Sequence, residues 1–232
     1  MSPHRRADAW VAGIGLLLLL GWDASGLDLQ AARWFGGAQG FAWREHWLLS
    51  AVLHTGGRWL GLAVLGWLAV GLVWPAGVFK PLSLRLGRGQ RLWWLLATLA
   101  CAALVPAIKA LTLTSCPWDL AEFGGAAQYV SHWRIGVRDG GGGHCFPSGH
   151  ATSAFALLSG WFVLRGATPR AARIWLAAVV MLGLLFGGAQ LLRGAHYPSH
   201  TLWTGWLCWS LCALLAHWLP PASASEPQPA TP

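Results

Sequence analysis

The sequence predicts an all-α fold: a polytopic membrane protein with six transmembrane helices and one long outward loop. Three observations predict it. The 232-residue chain is 55% hydrophobic and only 10% charged, whereas soluble domains carry about 25% charged residues. Apolar runs recur near the roughly 20 residues that a bilayer-crossing helix needs. Basic residues collect on alternate sides of those runs.

The runs fall at residues 10–22, 47–74, 92–112, 150–164, 174–192 and 199–219. The first is short and follows Arg5-Arg6, so it also resembles the charged and apolar regions of a signal peptide, with Ala24-Ser25-Gly26 as a cleavage site. A retained helix is preferred, because it leaves an even set of spans with consistent topology. Residues 23–46 form an outward loop with room for a short amphipathic helix lying on the membrane. The second run is long and holds His54, Gly56-Gly57 and Arg58. Lys109 sits near the outer end of the third. The largest loop, 115–149, has two glycine clusters, Gly124-Gly125 and Gly140 to Gly143. Many of the 18 Trp lie near run ends, where the indole suits the membrane interface. Residues 1–219 read as one membrane domain. Residues 220–232, rich in Pro, Ala and Ser, read as a disordered tail.

The net charge of +8 follows topology and not a nucleic-acid surface. Arg5, Arg6, Lys80, Arg85, Arg88, Arg91, Arg165, Arg170 and Arg173 share one side. The other side has Arg33, Arg44, Arg134, Arg138 and Arg193, offset by Asp23, Asp28, Glu45, Asp119, Glu122 and Asp139. The positive-inside rule puts both termini in the cytoplasm. Segments 109–150 and 193–200 then face outward, into the periplasm if the membrane is a Gram-negative inner membrane.

Ionisable residues within spans are costly and point to function. Lys109 reads either as a cation at a site or as a side chain snorkelling to the interface. His54 and Arg58, four apart, share a helix face; they form the wall of an anionic headgroup site or a polar pair that satisfies itself. Pro147-Ser148-Gly149-His150 follows a glycine-rich loop and opens an apolar helix, which places a hydroxyl, backbone N–H groups and an imidazole at a helix N-terminus suited to anions. Arg193, His196 and His200 precede and open the last run. His150, His196 and His200 are also candidates for a metal held by imidazoles. No carboxylate or cysteine completes an obvious ligand set, so neither metal nor cofactor is expected. Cys101, Cys208 and Cys212 read as small apolar residues inside spans. Cys116 and Cys145 flank the outward loop, where disulfides persist; they are either bridged or two buried thiols.

Three outward segments stand together: Lys109 to Pro117, Pro147-Ser148-Gly149-His150, and Arg193 to His200. Their order and spacing resemble the type 2 phosphatidic acid phosphatase (PAP2) superfamily over roughly residues 90–215. That family's pattern is Lys-x6-Arg-Pro, then Pro-Ser-Gly-His, then Ser-Arg-x5-His-x3-Asp. Lys109, Pro117, Ser148, Gly149, His150 and His196 match. Cys116 stands at the first motif's arginine, Ala189-Gln190 at the third motif's Ser-Arg, and His200 at its aspartate.

The resemblance implies a six-span fold with an outward active-site loop and a lipid phosphate or pyrophosphate as substrate. It implies that Lys109, Ser148 and the Gly149 backbone bind the phosphate. It implies that His196 attacks phosphorus to give a phosphohistidine, and that His150 protonates the leaving group. Arg193, one turn beyond Gln190, and Arg58 are expected to supply the lost cations. Asp119 is expected to supply the acid that His200 no longer offers to His196. The alternatives are a phosphotransferase, a silent relative that binds or moves anionic lipids, and a metal-dependent hydrolase using the three histidines.

Overall fold

The computed structural model describes residues 2–79 and 86–221. Lys80, Arg85 and residues 222–232, most of the expected tail, lie outside the described residues.

Among the described residues the regular structure is helical except for a two-residue antiparallel ladder, β1 (Gly36–Gly37) with β2 (Gly40–Phe41). Helix α1 (Pro3–Ser25) starts on Ser2, whose hydroxyl accepts from the Arg5 N–H, and ends at Gly26 with φ 72°. After α2 (Leu27–Arg33) and the ladder, a π-helical stretch (Leu48–Gly56) runs into α3 (Gly57–Val73). A short α4 (Pro75–Val78) precedes α5 (Arg88–Leu111). Two 3-10 turns, Pro117–Asp119 and Ala121–Phe123, lie in the long loop. Then come α6 (Gly149–Phe155), a 3-10 turn (Ala156–Leu158), α7 (Ser159–Ala167), α8 (Pro169–Leu192) and α9 (Pro198–Trp218).

Four helical segments are long and apolar enough to cross a membrane: Pro3–Ser25, Leu48–Val73, Arg88–Leu111 and Pro169–Leu192. The other two expected spans fall short for visible reasons. The fourth is interrupted at residues 156–158, where the Leu157 carbonyl accepts from the Trp175 indole at 2.7 Å. The sixth, α9, carries Ser199, His200, Thr201, Thr204, Ser210 and His217. The surface is apolar where a soluble protein's is not. Leu17, Leu18 and Met181 each leave about 70% of their area open, and an exposed apolar face of that kind needs a partner or a bilayer.

The expected first span packs along α9. The Trp206 indole donates to the Ala12 carbonyl at 2.8 Å. Nearer the start of α1, Asp8 takes both guanidinium nitrogens of Arg165, at 2.6 and 2.8 Å. A main core of Cys101, Val105, Phe155, Leu158, Phe162, Val179, Cys208 and Cys212 fills the bundle. A separate core of Ala32, Phe41, Leu120, Phe123, Ala127 and Tyr197 joins the loops outside it. Helix α2 joins this second core through Ala32, and its buried residues are Asp28, Ala31 and Ala32.

Glycine sets the close approach of α8 to α9. A β-carbon on Gly187 would overlap the Thr201 side chain. Replacing Gly187 with Ala overpacks this contact and is expected to cost about 1–3 kcal/mol, read as a lower thermal midpoint by tryptophan fluorescence in detergent.

Candidate active site

Four pieces of chain meet at one end of the bundle: the end of α5 with Lys109, the start of α6 with Ser148 to His150, the α8–α9 link with Arg193 to His196, and the π-helix–α3 junction with His54 and Arg58. Backbone hydrogen bonds hold the pieces in register. The His144 and Cys145 N–H groups donate to the Thr112 and Thr114 carbonyls, at 3.0 and 2.8 Å. The Trp118 N–H donates to Gly194 at 2.9 Å, and the Ser148 N–H to the His200 carbonyl at 3.0 Å. Thr204 donates to the carbonyls of Ser148 and His200. Gly194 has φ +73° with the Phe41 ring against its α-carbon, so no side chain fits there. A Cys116–Cys145 disulfide joins the first two segments, which resolves the alternative that the sequence leaves open.

His196 lies at the centre and is 3% exposed. Its Nδ1 is 3.5 Å from Nδ1 of His200 and 3.4 Å from Sγ of Cys145. Burial holds its pKa well below the ordinary imidazole value; the nearby Lys109, His200 and His150 act in the same direction, and a hydrogen bond to the Cys145 backbone opposes them. The ring is therefore neutral at pH 7. A neutral imidazole has one N–H and one lone pair. When Nδ1–H faces the His200 nitrogen, Nε2 keeps the lone pair. His200 then accepts at Nδ1 and carries its proton on Nε2, which is buried with no partner among the described residues.

Around this pair stand groups suited to an anion. The Ser148 hydroxyl is buried and unpartnered. The Lys109 ammonium comes within 3.8 Å of the position a Gly149 β-carbon would take. The Ser148 N–H is spent on His200, so the donors left at the helix start are the N–H groups of Gly149 and His150, which have no intrahelical acceptor. The His150 ring stacks on His54 with centroids 3.6 Å apart, and Lys109, Arg193 and Arg58 all lie within its electrostatic reach. Arg193 is anchored by the Arg44 carbonyl at 2.8 Å and the Gln190 side-chain oxygen at 3.3 Å. Gln190, at the family's arginine position, thus holds an arginine one turn on. Burial lowers the Arg193 pKa, yet guanidinium stays charged.

Asp119 is placed otherwise than expected. Its carboxylate accepts from the Cys116 N–H at 3.2 Å, closing its own 3-10 turn, and it makes no hydrogen bond to His196 among the described residues. The three histidines do not form the close ligand group either. The group of metal-ligand atoms found near one another is Cys116, Cys145 and His196, with both sulfurs tied in the disulfide.

Several supporting residues were invisible in the sequence. Asp28 accepts from the Ser199 N–H at 3.0 Å and from the Ser199 hydroxyl, fixing the start of α9 beside His200. Burial raises its carboxyl pKa, while the hydrogen bonds from Ser199 and Trp22 oppose this. His132, given no role from sequence, bonds Asp23 at 3.3 Å, stacks flat on Phe146 and meets His200 edge to face. Asp139 accepts from the Ser115 N–H at 2.6 Å, its hydroxyl at 2.7 Å and the Gly141 N–H at 3.0 Å. Acidic residues in a chain with few charges were the available signal, but nothing local ties them to their partners.

Residues 91–223 match the PAP2 superfamily family model. That is more than half the chain, and the chain belongs to this superfamily. The family and the apolar helices together mark it as a membrane protein. No curated protein and no solved structure matches it.

The Asp139 ties predict the loop's stability. Asp139→Ala leaves three donors without an acceptor, each costing about 1–3 kcal/mol when buried. Limited proteolysis is expected to cut the 117–144 segment faster in this variant than in the wild type.

Proposed function

We propose that the protein is an integral membrane lipid phosphatase that works through a phosphohistidine on His196. The observation that carries the reading is a buried, neutral imidazole backed by His200, with Lys109 and His150 near it, Arg58 and Arg193 within reach of His150, and the buried Ser148 hydroxyl unpartnered.

The geometry supports a sequence of roles. Lys109, Arg58, Arg193, the Ser148 hydroxyl and the N–H groups of Gly149 and His150 neutralise phosphate oxygens. Preorganised donors of this kind usually make the largest catalytic contribution. His196 attacks phosphorus through Nε2, splitting the reaction into two steps. His150, protonated once an anionic phosphate is bound beside it, gives that proton to the leaving oxygen and then, neutral, takes one from the attacking water. His200 fixes the His196 tautomer by accepting from Nδ1–H, but adds no negative charge against the cationic phosphohistidine.

A lipid substrate is supported by a cavity of about 360 Å³ that opens from His150, Gly149 and Arg58 and runs along Gly61, Leu62, Leu65, Ala102 and Pro106. Pro106 has no N–H for the Ala102 carbonyl, and both residues line this cavity. Its walls are mainly apolar and suit an acyl or prenyl chain. In this reading all six expected spans cross the membrane, both termini are cytoplasmic, and the site faces the periplasm. The disulfide in the outward loop supports that orientation.

The test is phosphate release from a panel of lipid phosphates and pyrophosphates in detergent. Wild-type protein is expected to release phosphate, and His196→Ala to lose at least ~10³-fold in kcat. His200→Ala is expected to lose about 10²-fold, less than the ~10⁴-fold that follows loss of a triad carboxylate, because only orientation is lost and no charge. Tight binding of a lipid phosphate without release by wild-type protein would instead favour the silent lipid-binding reading, which the replacements at Cys116, Gln190 and His200 favour. Phosphate appearing on a second lipid would mark a phosphotransferase.

A further inference from the structure

The disulfide does more than close a loop, because it touches the central imidazole. Cys145 Sγ lies 3.4 Å from His196 Nδ1, and donor atoms of Cys116, Cys145 and His196 all fall within 4.8 Å of one another. Cys145 is fully buried and His196 nearly so. Ligands at ordinary zinc distances, about 2.3 Å for sulfur and 2.0–2.1 Å for nitrogen, lie about 3.6 Å apart (S to N) and 3.8 Å apart (S to S) in a tetrahedron. The existing S to N spacing already meets that requirement. Two sulfurs freed from their bond must move apart to meet the rest.

We propose that reduction of the Cys116–Cys145 disulfide creates a binding site for a thiophilic divalent cation such as zinc, made of Cys116 Sγ, Cys145 Sγ and His196 Nδ1, and that the bound cation switches the active site off. A dithiol reductant gives up two electrons and two protons to the S–S bond and leaves as its own disulfide, giving two cysteine thiols. The cation then displaces both thiol protons and binds two thiolates and one imidazole. Thiolate and imidazole donors select zinc over magnesium or calcium, and a fourth position remains for water or a phosphate oxygen.

The consequence for catalysis follows from the ring. His196 has one lone pair when neutral. A cation on Nδ1 takes it and leaves the proton on Nε2, the atom that must attack phosphorus. The same ligation breaks the contact with His200. Inhibition therefore needs no blocked entrance and no movement of Lys109 or His150. This second half rests on His196 being the nucleophile; the metal site itself does not.

The test uses the full chain in detergent, on a Cys101→Ser/Cys208→Ser/Cys212→Ser background so that the three other thiols do not compete. A phosphine reduces the disulfide, because dithiols chelate zinc. Cobalt(II) is the spectroscopic probe and zinc the competitor. Reduced protein is expected to bind one cobalt per chain with a thiolate charge-transfer band that zinc removes, and oxidised protein none. Cys145→Ser and Cys116→Ser are each expected to lose the band, and His196→Ala to weaken binding at least tenfold. Zinc is expected to stop phosphate release by reduced protein, with recovery on chelation.

No cobalt band in reduced protein overturns the site, as does a band unchanged in Cys145→Ser. Affinity unchanged in His196→Ala overturns the His196 ligand. Reduced, zinc-loaded protein that turns over at the oxidised rate overturns the switch. If oxidised protein releases no phosphate from any lipid while reduced protein binds cobalt as described, the phosphatase reading fails and the metal site stands.

Discussion

Everything at the candidate-site end of the bundle depends on keeping the His196 imidazole out of water. Burial removes the hydration that a cationic ring requires, so the ring is neutral and one nitrogen keeps a lone pair. A buried polar ring must find partners, and the structure provides His200 and the edge of a disulfide. Those partners must then be held in turn. Asp28 on Ser199, Thr204 on two carbonyls and the Ser148 N–H on His200 all fix the same first turn of α9. The long loop between α5 and α6 serves as the cover that keeps this arrangement dry.

The replaced motif residues look less like losses against this background. Cys116, at the family's arginine position, becomes half of a crosslink that presses on His196. Gln190, at the second arginine position, steadies Arg193. His200 keeps the hydrogen-bonding role of an aspartate and gives up its charge. In the proposed mechanism, a neutral base behind the nucleophile supports orientation but offsets little of the positive charge that would form on phosphorylation. Lys109, Arg58 and Arg193 lie near His150, and their charge favours binding an anion more than ionising the His196 ring.

Much of the fold was legible because the bilayer imposes simple rules. Span length and tryptophan placement put five of the six helical segments within about five residues of where they lie. The first segment was underestimated because Pro3 to Ala9 is polar, yet Ser2, Pro3 and the Asp8–Arg165 pair carry the helix through it. The fourth span was read as one helix and is two, since nothing local in Ala156-Leu157-Leu158 announces that Trp175 will claim a carbonyl there. Of the proposed site residues, Lys109, Ser148, Gly149, His150, His196, His200, Arg193 and Arg58 are brought together. Asp119 is not, because its carboxylate is used by its own turn. Asp23, Asp28, His132 and Asp139 were missed because their partners are distant in sequence.

The sequence by itself determined the membrane class, the family register and which chemistry-bearing side chains are present. Those features rest on hydropathy, charge bias and spacing, which are local properties of the chain. Only the tertiary structure decided that Cys116 and Cys145 are bonded, that His54 stacks on His150, and that His200 faces His196 through Nδ1. It also decided where each carboxylate is spent. Most of these depend on contacts between segments tens to more than a hundred residues apart, and a buried group's ionisation is set by what surrounds it in space and not only by its neighbours along the chain.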